Sequence, residues 1–132
     1  KNIEFIGAKT VEEVPMYLQS ADMFLHMPFY ELRAERGSSY IHTETMGRSL
    51  CEAAATGLPA IATGVGGITE IIIDGETGFI IPEYDIDAAA KKIIQLADND
   101  SLRKLIGEKA RLRALKEFDW VQIFDKYHEL FR

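Results

Sequence analysis

Two glutamates, with a glycine between them, give the chain its richest chemistry: Glu44-Thr45-Met46-Gly47-Arg48-Ser49-Leu50-Cys51-Glu52. The Ala-rich run Arg48–Thr56 stops at Gly57-Leu58-Pro59, which predicts a helix opening just after Gly47. A helix start presents free backbone N–H groups and the positive end of the dipole, so it attracts phosphate. Gly47 has no side chain to block a ligand that approaches the backbone. A carboxylate beside a phosphate repels it, but Glu44 and Glu52 suit the hydroxyls of a sugar or a ribose, from which they accept hydrogen bonds. A plainer reading competes: Ser49-x-x-Glu52 also fits a capping box, with Ser49 as N-cap and Glu52 reaching back.

A second glycine-rich turn, Gly64-Val65-Gly66-Gly67-Ile68-Thr69-Glu70, follows a predicted strand. It lacks the G-x-G-x-x-G spacing of a dinucleotide fingerprint, and its place two elements after Gly47 puts it beside the same crevice. Asp85-Ile86-Asp87 and Asp98-Asn99-Asp100 resemble metal-binding acidic pairs, but each stands at a helix start, where Asp is favoured as a cap. His26, His42 and His128 lack metal-ligand spacing, so no metal or other cofactor is expected. Cys51 is the single cysteine, which excludes an internal disulfide and fits a reducing, cytoplasmic compartment.

The elements that must position these residues alternate. Strands are predicted near Ile3–Ile6, Met23–Met27, Ala60–Thr63 and Phe79–Ile81, and helices over Val11–Ser20, Arg48–Thr56 and Gly67–Ile72. That order reads as an α/β fold, a Rossmann-like doubly wound parallel sheet of about four strands. After Pro82 only helices follow: Ala88–Ala97 capped by Asp85 or Asp87, Leu102–Lys116 capped by Asp100 or Ser101, and a last one capped by Asp119. The stripe Trp120, Ile123, Phe124, Tyr127, Leu130 and Phe131 on that last helix reads as packing. Pro28–Thr43 joins a strand to a helix through some sixteen residues, where about two to six are usual, so it reads as a long loop, either part of the ligand-binding edge or a mobile insertion with no role.

The whole chain, 132 residues with 47% apolar and 27% charged side chains, suits one globular domain. Its net charge of −6 argues against nucleic-acid binding. No apolar run approaches the roughly 20 residues that span a bilayer, and the opening residues read as strand Lys1–Gly7 rather than as a signal peptide.

Taken in order, these motifs resemble the large retaining GT-B glycosyltransferases that carry Glu-x7-Glu, glycosyl transferases group 1. The resemblance runs from Ile3-Glu4-Phe5-Ile6-Gly7, Tyr17, Ala21-Asp22 and Pro28 through Glu44 and Glu52 to Glu52-Ala-Ala-Ala-Thr-Gly-Leu-Pro59. It continues in Gly66-Gly-Ile-Thr-Glu-Ile-Ile72, Asp74-Gly-Glu-Thr-Gly-Phe-Ile-Ile81 and Phe118-Asp119-Trp120. It implies a partial GT-B C-terminal domain that binds a nucleoside-diphosphate sugar and helps to transfer the sugar, with retention, to a glycan, polysaccharide or lipid acceptor. By this resemblance Glu44 is the catalytic residue, touching the sugar near its reacting carbon. Met46, Gly47, Arg48 and Ser49 hold the sugar and diphosphate, Glu52 the ribose hydroxyls, and Ala8 and Lys9 the nucleotide base.

Departures accompany the matches. Phe29 stands where the family usually has Ser, Thr45 where Gly is usual, and Arg48 where an aliphatic residue is common. The Pro28–Thr43 segment exceeds the family's usual loop. Against the family pattern, the chain lacks the first two β–α units with their basic diphosphate clamp, and the N-terminal acceptor domain. The chain alone is therefore expected to be inactive, and its acceptor to be held by that other domain. An unpaired sheet edge invites association with another chain, with Ile3–Ile6 expected to pair directly with Met23–Met27 or with a neighbour's strand. Peripheral contact with the cytoplasmic membrane face would belong to the full enzyme. Two other functions fit the scaffold, a sugar-nucleotide epimerase of GT-B fold and a non-catalytic α/β binding module.

Overall fold

Ala60-Ile-Ala-Thr63 is short, free of charge and buried at every position, as a strand covered on both faces must be. It is the centre of the sheet. The computed structural model describes residues 2–35 and 38–132. Their elements are α1 (Val14–Gln19), β1 (Phe24–His26), β2 (Glu31–Glu35), β3 (Ser38–His42), α2 (Arg48–Ala55), β4 (Ala60–Thr63), α3 (Ile68–Ile71), β5 (Gly78–Ile81), α4 (Ile86–Ala97), α5 (Asp100–Glu117) and α6 (Trp120–Leu130). The main sheet is parallel, in the order β1-β4-β5, with Phe24 opposite Ala60 and Ala60 opposite Gly78.

Side-chain alternation along the strands divides the core in two. On one face Phe24, Ala60, Ala62 and Ile80 pack with Leu50 of α2 and with Ile68 and Ile71 of α3. On the other, Ile61, Phe79 and Ile81 pack with Leu96 of α4 and Ile106 of α5. Helix α5 also ties the first face together: Arg111 donates to the Ala55 carbonyl and Arg113 to the Glu70 carbonyl at 2.7 Å, satisfying carbonyls at two helix ends. Asp85 and Asp119 cap α4 and α6 as expected, accepting from the N–H of Ala88 and Val121 at 2.8 and 2.9 Å. The cap of α5 is Asn99, one residue before the expected Asp100 and two before Ser101; its Oδ1 accepts from Leu102 N–H at 2.9 Å.

Three expectations need correction. Ile3–Ile6 forms no strand and pairs with neither Met23–Met27 nor any other described segment; Ile3 and Phe5 stand 76% and 94% exposed. Apolar alternation over four residues cannot by itself hold a strand, because the ladder partner supplies the hydrogen bonds. The sheet accordingly has three strands, and β1 pairs only with β4 among the described residues. The Pro28–Thr43 segment is not a loop but contains an antiparallel hairpin, β2 with β3, in which Glu31 faces His42 and Arg33 faces Tyr40. Lys1 of the expected opening strand, and Arg36–Gly37 of that segment, lie outside the described residues. The stripe of α6 is mostly unpacked: Trp120, Phe124, Tyr127, Leu130 and Phe131 are exposed, and only Ile123 of the stripe is partly buried.

Candidate functional site

Helix α2 opens directly after Gly47, which takes a left-handed conformation (φ 74°, ψ 53°) that favours glycine. No side chain caps this helix start. The capping box that Ser49 and Glu52 offered is therefore not formed, and both residues instead line a cleft of about 490 Å³ with Glu44, Thr45, Met46, Gly47 and Arg48. The cleft lies at the carboxyl edge of the parallel sheet, where His26 ends β1 and Thr63 ends β4.

Glu44 is fixed from two sides. Its Oε1 accepts from the backbone N–H of Gly47 at 2.9 Å and of Met46 at 3.4 Å. Its Oε2 stands 3.4 Å from Nε2 of His26, a buried nitrogen with no aligned hydrogen-bond partner among the described residues. The Gly47 N–H, with lesser help from Met46 N–H and His26, holds the Glu44 carboxyl below its ordinary pKa against the opposing effect of burial. Glu44 is thus a carboxylate at neutral pH, one oxygen committed to the backbone and the other beside His26. Glu52 projects from the first turns of α2, exposed at the rim.

The glycine-rich turn after β4 supports this loop from behind. A Cβ on Gly66 would stand 1.7 Å from the Glu44 carbonyl oxygen, and one on Gly67 would stand 2.3 Å from that of Thr45. Only side-chain-free residues permit such an approach, which is a structural use for the second glycine motif. Gly66 N–H also donates to the Tyr30 hydroxyl at 3.1 Å.

Ala8 and Lys9 do not line the cleft; Lys9 lies against α1, its Nζ 5.0 Å above the Tyr17 ring. The thiol of Cys51, one residue from Glu52, has its pKa raised by burial and then by the Glu52 charge, which keeps it protonated and a poor nucleophile. Among the described residues no three His, Cys, Asp or Glu side chains converge on a metal-sized site. Sequence reasoning missed His26 and Tyr30. A signal for His26 was present, since a polar side chain near the carboxyl end of a predicted strand lies where ligands bind.

Two further cavities border the same edge. One of about 450 Å³ lies between the hairpin and the Glu44–Thr45 loop, with Phe29, Glu31, Arg33 and His42 on its walls. The other, about 220 Å³ and largely apolar, lies under Phe29 and Tyr84, and its acidic residue Asp85 is occupied in capping α4.

Comparison with known proteins gives a consistent result. The family model for glycosyl transferases group 1 matches residues 1–113. The chain is 36% identical over 90 residues to the capsular polysaccharide biosynthesis glycosyltransferase CapM of Staphylococcus aureus, covering 68% of this chain and 24% of that protein. A solved variant of S. aureus TarM, in complex with fondaparinux, α-GlcNAc-glycerol and UDP, superposes with a TM-score of 0.72 at 25% identity, covering 97% of this chain and 23% of that one. The C-terminal domain of a glycosyl transferase group 1 protein, LpcC of Francisella tularensis, shares the fold at a TM-score of 0.68 and 24% identity, covering 89% of this chain and 53% of that one. The chain spans about a quarter of the length of CapM and of the TarM variant. By family match, motif order and fold, this chain belongs to glycosyl transferases group 1 and has the α/β architecture of their GT-B C-terminal domain.

Proposed function

We propose that the chain forms the donor side of a retaining glycosyltransferase site, binding a nucleoside-diphosphate sugar for transfer to a hydroxyl of an acceptor. The observation that carries this reading is the uncapped start of α2 opening into a cleft flanked by the Glu44 and Glu52 carboxylates. Free N–H groups at Arg48 and Ser49 suit the diphosphate, with the Arg48 guanidinium adding charge. The backbone of Met46 and Gly47 borders the sugar, and Glu52 at the rim suits the ribose hydroxyls. Lys9, next to Ala8 in the chain, stands against α1, which packs on α2, and in this reading the nucleotide base leaves the cleft on that side.

In the reaction, the bond from the anomeric carbon to the diphosphate oxygen breaks and its electron pair stays on that oxygen. The acceptor oxygen bonds to the same face of the carbon, and its proton passes to the departing diphosphate. Fixed donors at the start of α2 stabilise the charge that grows on the leaving group. The ionised Glu44, immobilised by the Gly47 N–H, stabilises the positive charge that grows on the sugar. The relatives fit this class: CapM is a glycosyltransferase of capsular polysaccharide biosynthesis, and the TarM variant was solved in complex with UDP. The remaining acceptor and phosphate contacts come from outside this chain, which by itself would not complete transfer.

The full-length gene product should release nucleoside diphosphate from one member of a panel of sugar nucleotides. Glu52→Ala should weaken donor binding by about 1–3 kcal/mol through lost charged hydrogen bonds. Glu44→Ala should lower kcat more than donor affinity, because its partner is the sugar. Equal affinity losses at unchanged turnover would defeat this division of roles, and an inverted anomeric centre in the product would defeat retention. An epimerase would interconvert sugar nucleotides without needing an acceptor, and a binding module would leave every donor intact.

A further inference from the structure

The hairpin shows its polar side to the site. The register pairs Glu31 with His42 and Arg33 with Tyr40, which puts these four on one face of the ribbon, and Leu32, Ala34, Ser39 and Ile41 on the other. Glu31, Arg33 and His42 line the second cleft, while Leu32 and Ile41 point away and stand 73% and 66% exposed. Burial of apolar surface alone would turn the ribbon the other way. Its base is also tied to the sheet edge at three points. Thr63 Oγ1 donates to the Pro28 carbonyl, Gly66 N–H to the Tyr30 hydroxyl at 3.1 Å, and Tyr30 N–H to Glu83 Oε2 at 2.7 Å.

The chemistry of this cleft selects its occupant. Arg33 is engaged with Glu31, its Nε and a terminal nitrogen each 2.8 Å from Glu31 Oε2, so the pair carries no net charge. The ionised Glu44 forms the wall shared with the first cleft. A cleft whose one guanidinium is already compensated and whose wall carries the Glu44 carboxylate repels phosphates and carboxylates. The remaining guanidinium N–H groups, Glu31 Oε1 and the His42 imidazole instead offer closely spaced donors and acceptors, which vicinal hydroxyls satisfy together. Phe29, half-exposed on the same wall, adds a flat apolar surface of the kind a sugar ring's C–H face covers.

We infer that the β2–β3 hairpin builds an acceptor subsite on this domain, one that takes a neutral glycosyl residue and presents its hydroxyl beside Glu44 to the donor sugar. The inference rests on the proposed donor site, because it places the acceptor in the cleft that shares the Glu44–Thr45 wall with that site. Arg33, Glu31 and Phe29 then act as specificity residues for the acceptor, separate from the groups that hold the donor.

The test uses the full-length gene product with the sugar nucleotide it cleaves and p-nitrophenyl α- and β-glycosides of glucose, galactose and N-acetylglucosamine as acceptors. Two rates are recorded for each variant, transfer to the glycoside and slow hydrolysis of the donor in its absence. Arg33→Ala and Phe29→Ala should raise the acceptor KM tenfold or more, while donor KM and donor hydrolysis stay at the wild-type level. Arg33→Lys, which keeps the charge but loses the planar fork, should show most of the same rise. Donor hydrolysis falling in step with transfer would assign the cleft to the donor and overturn the inference, as would an unchanged acceptor KM in all three variants. A wild type that hydrolyses donor but glycosylates none of the panel would overturn the neutral-glycosyl class. A wild type that cleaves no sugar nucleotide would overturn the donor reading, and this inference with it.

Discussion

Gly66→Ala is the most discriminating single perturbation of the site. Gly66 has φ +54°, and its added methyl would sit 1.7 Å from the Glu44 carbonyl oxygen, where real Cβ contacts are not found below 3.0 Å. The left-handed backbone alone costs a non-glycine residue roughly 1–2 kcal/mol. The carbonyl must also retreat by more than 1 Å, and it belongs to the residue whose Oε1 is held by the Gly47 and Met46 N–H groups. Losing those bonds adds about 1 kcal/mol each, for a total near 3–4 kcal/mol. A displacement of about 1 Å at a reacting group lowers turnover roughly a hundredfold. Gly75→Ala provides the control, because Gly75 has φ +74° but nothing within 4 Å of its Cβ position, so only the strain remains. The assay is the thermal midpoint and the rate of nucleoside diphosphate release for both variants of the full-length product. If Gly66→Ala matched Gly75→Ala in both readouts, the close packing of the glycine turn behind Glu44 would not be what positions the carboxylate.

Two other outcomes follow from the same geometry. Because the Gly47 N–H holds the Glu44 pKa below its ordinary 4.5, the ionised group favours the folded state. That stability is present above the ordinary value and is lost as pH falls through the lower folded-state value, so wild-type melting temperature should fall more steeply below pH 4.5 than that of Glu44→Gln. Parallel curves for the two proteins would remove the linkage. Tyr30→Phe deletes the acceptor of the Gly66 N–H while leaving the Tyr30 backbone bond to Glu83, and should cost about 0.5–1.5 kcal/mol. Faster amide exchange at Gly66 is its direct signature, and unchanged exchange would show that the hydroxyl does not hold the hairpin base.

Much of the molecule was legible before any coordinates. The uniformly apolar Ala60–Thr63, the Ala-rich run closed by Gly57-Leu58-Pro59, and the caps Asp85 and Asp119 are local signals, set by periodicity and by backbone groups a few residues away. The same locality made Glu44, Gly47 and Glu52 recognisable as one motif, since a helix start and its flanking carboxylates lie within nine residues. What tertiary structure decided lies further apart along the chain. Ile3–Ile6 has strand-like residues but no ladder partner, so its pattern went unused. The hairpin was hidden because its strands mix charged and apolar residues, and its orientation depends on anchors at Thr63, Gly66 and Glu83. Asn99 rather than Asp100 caps α5, a difference of one residue that backbone geometry sets. The approach of His26 to Glu44, and the glycine turn packed against the Glu44 carbonyl, join residues 18 or more positions apart. No local propensity encodes such contacts; they exist only once the parallel strands bring their carboxyl ends to one edge.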